Sequence, residues 1–160
     1  MDRKQPSKHA PRSAVEAQAR AKYQPECVCV NLRRAARAMT QLYDDALAAS
    51  GVKITQFSLL RAVARNEPAP INVLAEELEL DRTTLARNLQ PLERDGLIKL
   101  AAGSDKRVVE VRLTAAGRAA IERALPLWRQ AQRDVAAHLG SKRVDQLREI
   151  AQHATSVATK

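Results

Sequence analysis

Residues 74–98 read Leu-Ala-Glu-Glu-Leu-Glu-Leu-Asp-Arg-Thr-Thr-Leu-Ala-Arg-Asn-Leu-Gln-Pro-Leu-Glu-Arg-Asp-Gly-Leu-Ile, and this stretch decides the fold. Asn72 stands as an N-cap ahead of a short apolar stripe of Val73, Leu74 and Leu78. Asp81 stands as an N-cap ahead of a second stripe, Leu85, Leu89 and Leu92, which closes at Gly96. Two short helices joined by a tight turn are expected. At about 100° per residue, a helix that buries the three leucines turns Thr83, Arg87, Gln90 and Arg94 outward, with Thr84 and Asn88 flanking. The first helix carries Glu76, Glu77 and Glu79 instead, so positive charge gathers on the second helix alone. That asymmetry separates a groove-reading helix from its support.

Upstream, Val28, Leu32, Ala35, Ala36, Met39, Leu42, Tyr43, Ala46 and Leu47 form the stripe of an amphipathic helix that stops at Gly51. Thr55 is expected to cap a helix carrying Phe57, Leu60, Val63 and Ala64, which ends before the loop Asn66-Glu67-Pro68-Ala69-Pro70. Downstream the period changes to two. Val109, Val111 and Leu113 alternate with Glu110 and Arg112, Leu97 to Leu100 supplies a second strand, and 101–107 reads as the hairpin tip between them. A long helix from about Thr114 carries Ile121, Leu125, Trp128, Val135 and Leu139, and a last one from Ser141 carries Val144, Leu147, Ala151, Ala154 and Val157. The fold class is mainly α with a small β-hairpin wing: a winged helix-turn-helix, dimeric through its N- and C-terminal helices.

Residues 1–24 hold Arg3, Lys4, Lys8, Arg12, Arg20 and Lys22 against Asp2 and Glu16, and are expected to be a disordered basic arm. The rest, 25–160, reads as one domain. Within it 55–113 is a compact DNA-binding lobe, while 25–50 and 114–160 are long struts whose apolar stripes need a partner, as a symmetric dimer would supply.

The chain has 160 residues and a formal charge of +9, from 27 Lys and Arg against 18 Asp and Glu. Such an excess favours a polyanionic partner. No run of about 18 apolar residues is present to cross a bilayer. The two cysteines and the lack of a signal-peptide pattern point to a reducing, cytoplasmic setting. Enzyme signatures are missing. There is no Gly-rich phosphate loop, no metalloprotease helix and no nucleophile elbow, and the three histidines are scattered, so no catalytic residue, cofactor or metal site is expected.

The outward residues of the second helix suit a major groove. Arg holds guanine with two hydrogen bonds, Asn and Gln do the same for adenine, and Thr offers a hydroxyl to phosphate and a methyl to thymine. Any amphipathic helix turns polar residues outward, so this helix alone does not decide between reading and mere solvation. A tip bearing Lys106 and Arg107 just beyond it is placed for the backbone or the adjacent minor groove.

These pieces resemble the MarR (multiple antibiotic resistance regulator) family of bacterial winged-helix regulators. The resemblance runs from about Glu26 to Val157. It is carried by Leu74 to Leu78, Leu80 to Leu89, Leu92 to Ile98, and Asp105-Lys106-Arg107 leading to Leu113-Thr114-Ala115-Ala116-Gly117. It implies a homodimer that binds double-stranded DNA at a pseudo-palindromic operator. Thr83, Thr84, Arg87 and Asn88 would face the groove, Arg107 would be the wing arginine, Asp105 the acid that orients it, and Arg82 a phosphate contact. Pro91 removes one backbone donor, a cost of roughly 3 kcal/mol in an ordinary helix interior. A local bend is expected there rather than a break.

The function expected is a sequence-specific transcription regulator, a repressor released by an oxidant, an electrophile or a small ligand. The alternative is a winged-helix protein that binds nucleic acid without regard to sequence. Cys27 and Cys29 open the first helix, where N–H groups favour a thiolate, with Arg33 and Arg34 one to two turns on; they are the candidate sensor, or else two packed thiols. A zinc or copper site with His138 or His153 lacks the usual ligand spacing. A disulfide between residues two apart on a helix is disfavoured, so oxidation is expected to give a sulfenic acid or to link two subunits. A pocket for a small ligand would draw on Arg33, Tyr43, Phe57 and Trp128, whose other reading is plain core.

Arg87→Ala is expected to cost roughly 1–3 kcal/mol of DNA binding and to relax preference at one base position. Arg107→Ala should weaken binding with less sequence dependence, and titrations against a set of single-base operator variants separate the two.

Overall fold

The computed structural model describes residues 27–103 and 108–158. The proposed arm lies outside the described residues, as do Asp105, Lys106 and Arg107 of the wing tip. The chain divides into two compact units, Met1–Met39 and Thr40–Lys160. Helix α1 (Val28–Leu47) is the first described element, and a short 3-10 turn, Ala48–Ser50, carries it to Gly51. In that turn Ser50 Oγ donates to the Leu47 carbonyl at 2.6 Å, which satisfies a buried hydroxyl.

Helix α2 (Ile54–Asn66) is capped at Lys53, two residues before the expected cap, so that Thr55 lies inside its first turn. Two other side-chain acceptors, one local and one distant, take the place of Thr55 as a cap. Gln56 Oε1 accepts the Lys53 N–H at 2.9 Å, and Asp44 Oδ1, from the end of α1, accepts the Ile54 N–H at 2.8 Å.

The stretch after α2, expected as loop, contains a strand. β1 (Ala69–Pro70) pairs antiparallel with β3 (Val109–Leu113), Ala69 opposite Val111 and Pro70 opposite Glu110. Proline is tolerated because β1 is an edge strand. Pro70 also precedes helix α3 (Ile71–Glu77) as its capping residue, so Asn72 sits within the helix instead of capping it. The proline φ of −59° is already close to helical, which sets the helix start without a side-chain cap.

The tight turn that follows places Glu79 in the left-handed region, φ 51°, and lets the Leu80 N–H reach the Ala75 carbonyl at 2.9 Å. Helix α4 (Arg82–Arg94) then starts at Asp81, as expected. It ends on Gly96, φ 69°, with the Leu97 N–H bonded to the Leu92 carbonyl at 2.8 Å and the Gly96 N–H to the Glu93 carbonyl at 2.9 Å. This closure favours glycine because L side chains rarely adopt that conformation.

Strand β2 (Ile98–Ala102) pairs antiparallel with β3, from Ile98 opposite Leu113 to Ala102 opposite Val109, and the sheet order is β1-β3-β2. Ala101 and Ala102 thus belong to the strand and not to the tip, because the ladder continues past the last large apolar residue. Helix α5 (Ala115–Leu139) and helix α6 (Ser141–Ala158) complete the chain. Among the described residues no helix is long and apolar enough to cross a membrane.

Phe57, Leu60, Val63, Leu74, Leu85, Leu89, Leu92, Ile98 and Val111 are fully buried and form the core of the second unit. Each such side chain contributes roughly 1.5–3 kcal/mol of transfer free energy. Along α5 the fully buried positions are Ala120 and Ala124, whereas Ile121, Leu125 and Trp128 are only half-buried. The expected stripe of large residues is therefore not the face that packs deepest.

The start of α5 is locked to the end of the reading helix. Thr114 donates its N–H to the Leu97 carbonyl at 3.1 Å and its hydroxyl to the Gly96 carbonyl at 2.7 Å, while Oγ1 accepts the Gly117 N–H at 3.1 Å. A Cβ on Gly117 would stand 2.0 Å from the Leu97 carbonyl oxygen. Nearby, Glu67 accepts the Leu113 N–H at 3.0 Å and pairs with Arg118 at 2.6 Å, fixing the base of the hairpin.

Gly117→Ala is expected to destabilise the protein by about 3 kcal/mol, since backbone must move to admit the methyl group. Thermal unfolding should show a loss of roughly 5–10 °C.

Candidate nucleic-acid interface

The candidate reading surface is built on α4. Leu85, Leu89 and Leu92 are buried, and this anchors the helix so that Arg82, Thr83, Arg87, Asn88, Gln90 and Arg94 are all exposed. Thr84 is half-buried and bonds the cap residue: its N–H reaches Asp81 Oδ1 at 2.9 Å and its hydroxyl donates to Asp81 Oδ2 at 2.6 Å. These bonds from Thr84 hold the Asp81 carboxyl below its ordinary pKa, the hydroxyl contributing most.

Pro91 lies within α4, which remains helical on both sides of it; the Asp95 N–H bonds to the Pro91 carbonyl at 2.9 Å. Arg94 pairs with Asp95 at 3.4 Å. Both are exposed, so this contact is weak and leaves the guanidinium free to move.

The supporting helix α3 ties one of its two acids, Glu77, back to α2. Glu77 binds Arg65 and Asn66 from the end of α2, and its pKa is lowered chiefly by the Arg65 hydrogen bond. A groove of about 360 Å³ runs behind α4, and Thr55, Ser58, Leu59, Leu80 and Asn88 are among its walls. Asn88 therefore stands at the edge between the reading face and this groove.

The proposed ligand residues are only partly gathered. Phe57 is buried and its ring lies 6.1 Å from that of Trp128. Arg61, which the sequence reading passed over, stacks over Trp128 at 4.8 Å and stands 5.7 Å from the Phe57 ring. Tyr43 is buried, which raises its pKa against the opposing pull of Arg148. Arg33 is exposed on α1. Such an i, i+4 pair of Phe57 and Arg61 on α2 could have been read from spacing.

Cys27 is half-buried, Cys29 is exposed, and neither is in a disulfide. Cys27 precedes α1, its carbonyl accepting the Asn31 N–H at 3.1 Å, and only Cys29 is helical. Among the described residues no group of His, Cys, Asp and Glu is placed to hold a metal ion.

A family model described as MarR family matches residues 50–108. The M. tuberculosis transcriptional regulator MosR, solved in complex with DNA, is 42% identical, with 83% of this chain and 97% of that one covered and a TM-score of 0.74. The chain belongs to the MarR family. A second structure of M. tuberculosis MosR shows 41% identity over 85% of this chain and 98% of that one, TM-score 0.70. A probable transcriptional regulator from Pseudomonas aeruginosa shows 27% identity over 79% and 96%, TM-score 0.71. No curated protein sequence matches. This MarR-family chain is thus a DNA-binding transcription regulator and not an enzyme.

Asp81→Ala should fray the start of α4 and weaken DNA binding with little change in the core. Because the folded-state pKa of Asp81 is lowered, its contribution to stability is present above the unfolded pKa of about 4 and is lost as pH falls through the folded value. Unfolding midpoints measured between about pH 2.5 and 6 should converge for wild type and variant at the acid end.

Proposed function

We propose that this regulator is a homodimeric repressor acting in the cytoplasm. It reads a pseudo-palindromic operator with Thr83, Thr84, Arg87, Asn88, Gln90 and Arg94 of each α4, assisted by Arg82 and by the wing residues Asp105, Lys106 and Arg107. The observation that carries the reading is the row of exposed polar side chains over the fully buried Leu85, Leu89 and Leu92. Its resemblance to a regulator solved on DNA supports the same conclusion.

Dimerisation is supported by apolar surface left open on the struts. Val28 is 70% exposed and Ile150 56%, with Leu32, Leu42 and Leu147 also exposed. Such a concentration of apolar surface on long helices calls for a second copy.

Release is assigned to Cys27 and Cys29, whose access to solvent and position at the start of α1 suit reaction with a peroxide. The thiolate sulfur takes one peroxide oxygen as the O–O bond breaks, giving a sulfenic acid, and the other oxygen leaves as water once protonated. The aromatic pair Phe57 and Trp128, with Arg61 stacked above, supports a second reading in which an aromatic ligand is the effector.

The test is titration of the protein against its own upstream DNA and a scrambled duplex, before and after hydrogen peroxide and then a thiol. The expected result is preference for the upstream DNA, lost on oxidation, restored by the thiol, and made indifferent to oxidant in Cys27→Ser or Cys29→Ser. Equal affinity for the scrambled duplex at fixed salt would instead establish the sequence-independent binder.

A further inference from the structure

The two faces of the hairpin differ. Ile98, Val111 and Leu113 are buried on one, whereas Lys99 and Arg112 lie directly opposite each other on the other, both exposed. Like charges facing across a strand pair destabilise it, so this placement opposes the fold it sits in.

A nearly buried carboxylate completes the arrangement. Glu110, two residues before Arg112 on the central strand and on the same face, bonds the Arg112 guanidinium at 2.8 Å through Oε2. A Cβ on Gly103 would meet Glu110 Oε1 at 2.9 Å, so the bare glycine leaves the carboxylate its place. Among the described residues only one guanidinium nitrogen is used, and the side chain of Arg112 remains 52% exposed. Among the described residues no carboxylate is paired with Lys99. The face therefore presents two cations against one carboxylate, with guanidinium donors held in a fixed direction.

We propose that Lys99 and Arg112 form a phosphate clamp on the exposed face of the wing, with Glu110 as the positioning residue, taking backbone phosphates of the bound duplex. Arg112 supplies the planar fork that matches phosphate oxygens, and Lys99 supplies a mobile point charge beside it. The clamp lies on the strands, and only four residues lie between Arg94, at the end of α4, and Lys99. It rests on the reading of this chain as a DNA-binding regulator, and it adds affinity without adding base preference.

The experiment measures the slope of log K against log salt concentration for the upstream duplex and a scrambled duplex. Lys99→Gln and Arg112→Gln should each lower the magnitude of that slope by about 0.9 on both duplexes. Arg65→Gln, which removes the same charge from α2, should leave it unchanged. Lys99→Gln also relieves the cross-strand repulsion, so its thermal midpoint should equal or exceed wild type while its salt slope falls, a combination that a purely structural lysine would not give. Glu110→Gln should lower affinity on both duplexes by a common factor. If wild type binds the duplexes and the slopes of Lys99→Gln and Arg112→Gln match those of wild type and Arg65→Gln, the clamp is refuted and the regulator stands. If wild type binds neither duplex, both readings fall together.

Discussion

The contact on which the reading head depends is the approach of α5 to the Leu97 carbonyl at Gly117. There the polypeptide passes from the reading helix into the wing and meets the first turn of the long strut. The union is made at backbone carbonyls: those of Gly96 and Leu97 receive the hydroxyl and the N–H of Thr114. A side-chain hinge could adjust by changing rotamer, whereas a backbone contact with no room for a methyl group transmits displacement directly. Any rotation at the start of α5 must therefore move the end of α4 or break this joint, which gives the strut mechanical purchase on the proposed DNA-reading surface.

Glu67 reinforces the joint from the other side. Its carboxylate spans the Leu113 N–H and the Arg118 guanidinium, so the turn after α2, the base of the hairpin and the first turns of α5 share one acceptor group. The exposed, weakly paired side chains of α4 are thereby set on a rigid support. Freedom is confined to the side chains proposed to meet bases, while the helix that carries them is held at both ends, by Asp81 at one and Gly96 at the other.

Most of this was legible in the sequence because it rests on local signals. The leucine period of α4, the Asp81 cap, the Gly96 stop and the alternation of Val109, Val111 and Leu113 each lie within a few residues of what they determine. The departures have non-local causes. The start of α2 is set by Asp44, ten residues earlier, and β1 exists only because β3 offers an edge to two residues that carry no period of their own. Glu79 gives no warning of its left-handed conformation, which glycine usually fills. The charge pattern of the wing was likewise hidden, since Lys99 and Arg112 become neighbours only through the strand register.

The inner face of α5 has one further consequence. Its deepest positions, Ala120 and Ala124, are already the smallest side chains that carry a Cβ, so the closeness of the helix to its neighbours is written in residues that look permissive. Truncation scanning is blind to such a surface, because nothing there remains to be removed. The information lies in the opposite direction, in enlargement: a survey that adds methylene groups along this helix would trace the packing seam that a conventional alanine scan passes over in silence.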